Sequence, residues 1–520
     1  MTIHKIAIIG TGIMGMGIAQ IAAQAGVEVL LYDVRIGAAH SAHQTLKQTL
    51  EKLTAKGKLT DAQLQSTLNN LIVIDELQQI AEVDAVIEAI IENLQAKQQL
   101  FAQLEAIVPA STILATNTSS LSVTAIAAEC RHPKRVAGFH FFNPVPLMKI
   151  VEVIPGLSTS QSVVGDLLDL AKRMGHLGVI AKDTPGFIVN HAGRAYGTEA
   201  LKLYAEGVAS FEAIDRILRD GAGFRMGPFE LMDLTGIDVS HPVMESIYNQ
   251  FYQEDRYRPN ALTRQMFIAK KFGRKVGEGF YCYENGVKNA PSRAPLAMSN
   301  PSWDINITAI TSVWIGADLT EDKQQLSTFL AARHIDIDQA PTPNVNSLVL
   351  LATYGEDTTN AALRLGVNPE QAVGIDMLTD LVKHRTLMPS LVTQEKFVGQ
   401  AYAIFAKGEN PLDASPQATL IQESTGFVAQ RVLAMVINLG CDMAAQQIAT
   451  PQDIDNAVKL GLGYPYGPIS WGEKIGATRI LLILQRIYAL TGDQRYRPSP
   501  WLQRRAKLGC SLFTQQNNCQ

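Results

Sequence analysis

The chain is short of cysteine. It has five in 520 residues, Cys130, Cys282, Cys441, Cys510 and Cys519, scattered and without a CxxC pair. An odd, sparse set excludes a disulfide framework and a zinc ribbon, and makes a reducing, cytoplasmic setting the expectation. An excess of one charge is also missing: the formal net charge is -4, which provides no basic field for nucleic acid or for an anionic membrane. No run of 18 or more wholly apolar residues occurs, so no membrane span is expected. The N-terminal "IHKIAIIGTGIMGMGIAQIAAQAG" imitates a secretory signal, but its glycine spacing has a better explanation. What is present is 47% hydrophobic and 18% charged residue content, enough for sizeable cores in about three or four domains.

"KIAIIG" is a β-branched run ending in glycine and reads as a buried parallel strand. "MGIAQIAAQAG" has helical composition and stops at Gly26, and "VEVLLYD" is a second strand ending at Asp33. A helical pattern fills about Gly37 to Leu71, and "DAVIEAI" and "TILATNTSS" add strands that lead into polar loops. This alternation predicts a Rossmann-type, doubly wound α/β domain. After "KDTPGF" (182–187) the pattern turns all-α. Between about Ser292 and Leu412 a weak α/β alternation returns in "TSVWIGAD", "HIDIDQAP", "SLVLLATYG" and "AVGIDML", with no glycine-rich loop behind any of them. An internal repeat follows. "TPGFIVN" from Thr184 matches "STGFVAQ" from Ser424, and "AIDRILRDGAGFRMGP" from Ala213 matches "DIDNAVKLGLGYPYGP" from Asp453, both 240 residues apart. "RYRP" recurs at 256 and 495. A near-constant offset predicts a duplicated helical domain. Carried upstream, it sets His140 against Asp380 and Glu152 against Val392, so that neither is repeated.

Gly10, Gly12 and Gly15, enclosing Ile13 and Met14, form G-x-G-x-x-G between a strand and a helix. That spacing allows a tight turn, close approach of a pyrophosphate, and close helix–strand packing, with the helix N-terminus facing the phosphates. Asp33 ends the next strand, where a carboxylate binds ribose hydroxyls and repels a 2′-phosphate, favouring NAD over NADP. The plainer alternative is a structural glycine turn. "NTSS" (117–120) is either a helix cap or a set of hydroxyls lining the ligand crevice. His140 and Glu152 in "GFHFFNPVPLMKIVEV" are either core residues of two strands or a general base and the carboxylate that orients it. Lys52, Lys56 and Lys58 are either a solvated helix face or a phosphate site.

Together "GTGIMG", "NTSSL", "GFHFFNPVPLMKIVEV", "DTPGFIVN" and "GAGFRMGPFEL" resemble the L-3-hydroxyacyl-CoA dehydrogenase family over residues 1 to about 285. The repeated C-terminal part resembles its long bacterial members, of the 3-hydroxybutyryl-CoA and 3-hydroxyadipyl-CoA types, which act in fatty-acid or phenylacetate breakdown. The resemblance implies NAD-dependent oxidation of an L-3-hydroxyacyl-CoA, with His140 as base and Glu152 as its partner. It implies Ser119 and Asn190 on the substrate oxygens, and Asp33, Glu92, Lys97, Asn117, Asn143 and Lys275 near NAD. Lys52 and Lys56 become candidates for the CoA phosphates. His191 and Arg225 depart from the usual arginine and proline of the family. The rival readings are a lens-crystallin-like structural protein and a hydroxyisobutyrate-type dehydrogenase. The resulting architecture is an NAD-binding domain (1–182), a helical domain (183–288), a reduced Rossmann-like segment (289–415), a second helical copy (416–510) and a tail (511–520). The expected assembly is a homodimer or an intramolecular pseudo-dimer.

Overall fold

The computed structural model describes residues 2–291, 312–406 and 417–515. They form two units. One holds Met1–Ala192 with Met443–Gly463, and the other holds Gly193–Asp442 with Tyr464–Gln520.

The first unit is built on eight strands: β1 (Lys5–Ile9), β2 (Glu28–Tyr32), β3 (Leu71–Val73), β4 (Ala85–Glu88), β5 (Ile113–Thr116), β6 (Val136–Phe141), β7 (Ile150–Pro155) and β8 (Leu177–Ile180). Their order is β3-β2-β1-β4-β5-β6-β7-β8. All pairs are parallel except β6–β7. The chain moves outward from β1 to β2 and β3, then returns to lay β4 on the other side of β1. That reversal is a topological switch point, where open α/β sheets bind ligands.

Strand alternation assigns alternate residues to two cores. Ile6, Ile8, Ile87, Ala115, Phe139, Phe141, Val151 and Val153 join one, packed by helices Ile13–Gln24 and Gln161–Arg173. Ala7, Ile9, Val86, Leu114 and Val136 join the other, packed by helix Leu94–Ile107. Glu88, Thr116, His140 and Glu152 take the second parity, so all four share a face. The long helical pattern expected after Gly37 divides into Ala38–Ala55 and Asp61–Asn69, and Leu71 begins β3. The break has two causes: Gly57 adopts φ +69°, and Thr60 forms a capping box with Gln63.

In the second unit, helices from Arg194–Ala205 to Ala261–Ile268 lead to a hairpin of β9 (Tyr281–Glu284) and β10 (Val287–Pro291). A five-stranded sheet follows: β11 (Val313–Ala317), β12 (Leu348–Ala352), β13 (Ala372–Ile375), β14 (Arg385–Pro389) and β15 (Ala418–Leu420), in that order. Only β13–β14 is antiparallel. It repeats the pattern of β4 to β8, and among the described residues no counterparts of β1, β2 and β3 join it. "HIDIDQAP" is not a strand. Only Ile337 bridges to Val313, and the turn around Asp338 draws the backbone away from the sheet.

The second helical copy includes Val428–Ala445, Pro451–Leu462, Pro468–Ile475 and Ala477–Thr491. Among the described residues, Val428–Ala445 is the one helix long and apolar enough to cross a membrane, and 89% of it is buried within the protein, as a core helix is.

The repeat extends to individual hydrogen bonds. In the first unit the Lys182 N–H donates to the Ile448 carbonyl at 2.8 Å, and in the second the Gln422 N–H donates to the Val208 carbonyl at 2.8 Å. Lys182 and Gln422, like Val208 and Ile448, are equivalent at the 240-residue offset, so each bond is the other with the copies exchanged. In the "RYRP" motifs Arg256 donates to the Arg497 carbonyl at 2.6 Å and Arg495 to the Arg258 carbonyl at 3.1 Å. Such reciprocity is the signature of an isologous interface, here within one chain.

Candidate active site

The glycine loop joins β1 to helix Ile13–Gln24 at the switch point. Gly10 has φ +98°, and a methyl on it would lie 2.7 Å from the Ala89 carbonyl oxygen. A methyl on Gly15 would lie 1.9 Å from the Gly10 carbonyl oxygen. The protein's own packing therefore requires both. Gly12 differs: a methyl there meets nothing within 4 Å, so its smallness serves something other than the fold. The helix has no side-chain cap and no acid in its first turn, as a phosphate-binding N-terminus requires. These features fit a dinucleotide.

Asp33 follows β2 and accepts from the Thr11 N–H (3.0 Å) and hydroxyl (2.9 Å), and from Arg35 at 3.1 and 3.2 Å. Partial burial alone would raise its pKa, but the hydrogen bonds from Arg35 and Thr11 outweigh that and hold it well below the ordinary value. Ile13, Val34, Ile36 and Ile91 stand exposed by 77%, 81%, 106% and 72%. They follow the carboxyl ends of β1, β2 and β4, and form an apolar rim of the kind that heterocyclic rings cover.

A second cluster lies under the "NTSS" loop. Glu92 accepts from the Ser119 and Ser120 N–H groups at 2.8 and 2.9 Å, and from the Thr118, Ser119 and Ser120 hydroxyls at 2.8, 3.2 and 3.0 Å. Burial opposes its ionisation, yet the charge of Lys97 and these donors leave its pKa below the usual carboxylate value. The Lys97 ammonium lies 2.5 Å from Glu88 and 3.5 Å from Glu92, with its side chain 1% exposed. The Thr116 hydroxyl donates to the other Glu88 oxygen at 2.7 Å. Asn117 accepts from the Phe141 N–H at 2.8 Å, which ties this loop to β6.

His140 faces Glu152 across the β6–β7 pair, in register. This accounts for their spacing: two strand positions joined by the loop Phe142–Lys149. His140 Nδ1 lies 2.6 Å from Glu152 Oε2, while Glu152 Oε1 accepts from the Ile188 and Val189 N–H groups, both at 2.9 Å. Glu152 is 0% and His140 4% exposed. Phe142 and Phe187 flank the imidazole edge-on at 4.4 and 5.7 Å. Phe187 holds φ +49°, a conformation that costs a bulky residue about 1–3 kcal/mol and concentrates at functional sites. It turns the chain so that the next two amides meet Glu152. The Asn190 amide reaches the Ser119 carbonyl at 3.3 Å. Asn190 directly follows Val189 in the chain, so the segment that holds Glu152 is also tied to Ser119, and through it to Glu92 and Lys97.

Of the remaining expected residues, Asn143 is exposed in the loop after β6, and Lys52 and Lys56 are exposed at the end of helix Ala38–Ala55. Lys275 belongs to the second unit and pairs with Asp238 at 2.5 Å. Sequence reasoning missed Glu88 and Thr11. Glu88 was detectable as a carboxylate ending the apolar "AVI" run. Ile36 and Ile91 gave no signal, since an isoleucine beside a strand looks like core.

The five-stranded sheet carries an altered counterpart. The Asp376 N–H donates to the Thr386 carbonyl just beyond the Ile375–Leu387 pair, so Asp376 and Thr386 occupy the places of His140 and Glu152. The expected equivalents, Asp380 and Val392, are therefore incorrect: the connections between these strands differ in length, and the offset of 240 fails upstream of the helical copy. Gln430, matching Asn190, donates to the Thr353 carbonyl at 3.0 Å and to Asp376 at 3.1 Å, and accepts from the Gly355 N–H at 2.9 Å. A methyl on Gly355 would lie 2.5 Å from the Ile483 carbonyl oxygen. Burial raises the Asp376 pKa to about 6, against hydrogen bonds from Leu378 and Gln430.

Comparison with known proteins agrees with this geometry. Residues 5–184 match the family model "3-hydroxyacyl-CoA dehydrogenase, NAD binding domain", and residues 186–283 and 426–512 both match "3-hydroxyacyl-CoA dehydrogenase, C-terminal domain". The chain is 37% identical to the 3-hydroxyadipyl-CoA dehydrogenase of Escherichia coli K12, over 97% of this chain and 98% of that one. It is 43% identical to a probable 3-hydroxybutyryl-CoA dehydrogenase of Bacillus subtilis, over 55% of this chain and 99% of that one. A solved structure of 3-hydroxybutyryl-CoA dehydrogenase from Escherichia coli K12 superposes with a TM-score of 0.82 at 36% identity, covering 98% of this chain and 99% of that one. With its NAD-binding domain matched once and its C-terminal domain twice, the chain belongs to the 3-hydroxyacyl-CoA dehydrogenase family and is an NAD-dependent oxidoreductase.

Proposed function

We propose that the protein oxidises an L-3-hydroxyacyl-CoA of the 3-hydroxybutyryl or 3-hydroxyadipyl type at the His140–Glu152 pair, in fatty-acid or phenylacetate breakdown. The observation that carries this reading is the two-sided hold on Glu152: one oxygen at 2.6 Å from His140 Nδ1, the other fixed by two backbone amides. A carboxylate so held keeps the proton on Nδ1 and leaves Nε2 to accept the proton of the substrate hydroxyl. Glu152 then stabilises the imidazolium. Bound NAD supplies the hydride acceptor. Ser119 and Asn190 hold the substrate oxygens, which sets the carbinol carbon for reaction. Gly10, Gly12, Ile13, Met14 and Gly15 cradle the pyrophosphate, and Asp33 takes the adenosine ribose. Glu92, Lys97, Asn117 and Asn143 complete the cofactor contacts, and Lys52 and Lys56 meet the CoA phosphates. Mixing the protein with NAD and either thioester should raise absorbance at 340 nm. Silence with every 3-hydroxyacyl-CoA, from butyryl to adipyl, would refute the proposal.

The second half is read as catalytically silent, completing an intramolecular pseudo-dimer. Among the described residues its sheet lacks the strands and glycine loop that would receive a pyrophosphate. The helix after β11 opens with Glu321 and Asp322 in its first turn, which repels phosphate. Asp376 and Thr386 offer no imidazole. Titration calorimetry should accordingly find one NAD per chain, and two would defeat this assignment.

A further inference from the structure

The carboxylate of Glu152 is supported by residues far away in sequence. Helix Pro451–Leu462 belongs to the second helical copy, yet within the first unit it packs on β7, β8 and the short helix Val189–Ala192. It comes close at Gly461, where a methyl would stand 2.8 Å from Val189 Cγ2 and 3.6 Å from Ile150 Cγ2. Val189 supplies one of the two amides on Glu152 Oε1, at 2.9 Å, and Ile150 opens the strand that carries Glu152. Both are buried. Two further bonds fix the start of the same segment: the Lys182 N–H donates to the Ile448 carbonyl, and its ammonium to the Gln446 carbonyl, both at 2.8 Å.

Nothing in the helix itself calls for glycine at 461. The left-handed residue that ends it is Gly463, φ +67°, and Gly461 is not among the glycines with positive φ. Alanine is the better helix former at such a position. The other copy also carries glycine here but lacks the crowding. Gly221 is the equivalent 240 residues earlier, and a methyl there would meet Thr379 and His384 at 3.6 and 3.7 Å, ordinary contact. The tight approach occurs only where the partner segment carries the Glu152 donors.

We propose that Gly461 is a positioning residue for the dehydrogenase reaction. It sets the seat of Val189, hence the amide under Glu152 and the aim of His140, so the second copy contributes to the active site of the first half. The inference rests on the His140–Glu152 reading and adds to it.

Gly461→Ala in the full chain tests it. A methyl forced against Val189 should lower kcat tenfold or more while the NAD Kd stays within twofold. With the carboxylate misaligned, imidazolium is less stabilised, so the acid limb of kcat/KM should move to lower pH. Val189→Ala alone loosens the same contact and should cost threefold or more in kcat with the same displacement. The double variant V189A/G461A takes two methyls from one side of the contact and adds one on the other, and should exceed G461A in kcat. Wild-type kcat and pH profile in G461A would overturn the proposal, as would a double variant no better than G461A. If G461A fails to fold, V189A decides: an unchanged kcat and profile there overturns it. Failure of the underlying reading is separable, because it would appear as an active His140→Gln.

Discussion

His140→Gln should abolish turnover and leave NAD binding intact. The hydroxyl proton must depart as the carbinol carbon loses hydride, and a glutamine amide does not accept it. Loss of a well-placed general base costs about 10²–10⁴ in rate. The glycine loop and Asp33 lie at other strand ends, so NAD affinity by calorimetry should stay within a few-fold of wild type. Glu152→Gln should be nearly as damaging, for a reason visible in its contacts. One carboxylate oxygen must accept from Ile188 and Val189, so an amide keeps its oxygen there and turns its NH2 to His140 Nδ1. That pins the wrong tautomer, with the proton on Nε2. More than a tenth of wild-type kcat in His140→Gln would show the base assignment to be mistaken.

Lys97→Met should destabilise the first unit by about 3–5 kcal/mol, the usual cost of removing one partner from a buried ion pair. Glu88 is 0% exposed and Lys97 1%, and their charged atoms are 2.5 Å apart. Without the ammonium, the carboxylate keeps only the Thr116 hydroxyl and the Ile90 N–H, which do not offset its charge. For a unit of this size the melting temperature should fall by about 6–20 °C. Adding Glu88→Gln should recover much of the loss, because an uncharged pair of similar volume avoids the desolvation. Urea titrations of the two variants provide the check. A single variant within about 1 kcal/mol of wild type would mean the pair is not what holds this face of the sheet.

The parts of the molecule legible in sequence are those with local causes. The β1 loop announces itself through glycines at fixed spacing between a β-branched run and a helix. His140 and Glu152 stand out as polar residues in apolar strands, and their meeting follows once those strands pair in register. The doubly wound α/β character of the first sheet follows from strand–helix alternation. Other features depend on contacts that no local period encodes. Lys97 looks like any helix-surface lysine until Glu88 takes it inside. The offset of 240 misplaced the counterparts of His140 and Glu152 because connections between strands change length freely while paired strands do not. "HIDIDQAP" alternates like a strand, but the hydrogen bonds of Asp338 to the Ala340 and Asn344 amides bend it into a turn. The seat of helix Pro451–Leu462 on β7 could be found only in three dimensions.

The exchanged bonds of the two "RYRP" motifs have a genetic and a thermodynamic consequence. In an assembly of identical subunits every substitution at a twofold interface appears twice, and both copies must tolerate it. Here each side has its own codons and can change alone. Arg431 pairs with buried Glu199 at 2.8 Å, and the equivalent positions in the other copy hold a histidine, His191, and a leucine, Leu439. The halves are also joined covalently, so their association is first order and does not weaken as the protein is diluted, unlike the mass-action equilibrium of separate subunits. Two copies paired within one chain remain together at low concentrations at which freely exchanging subunits would come apart.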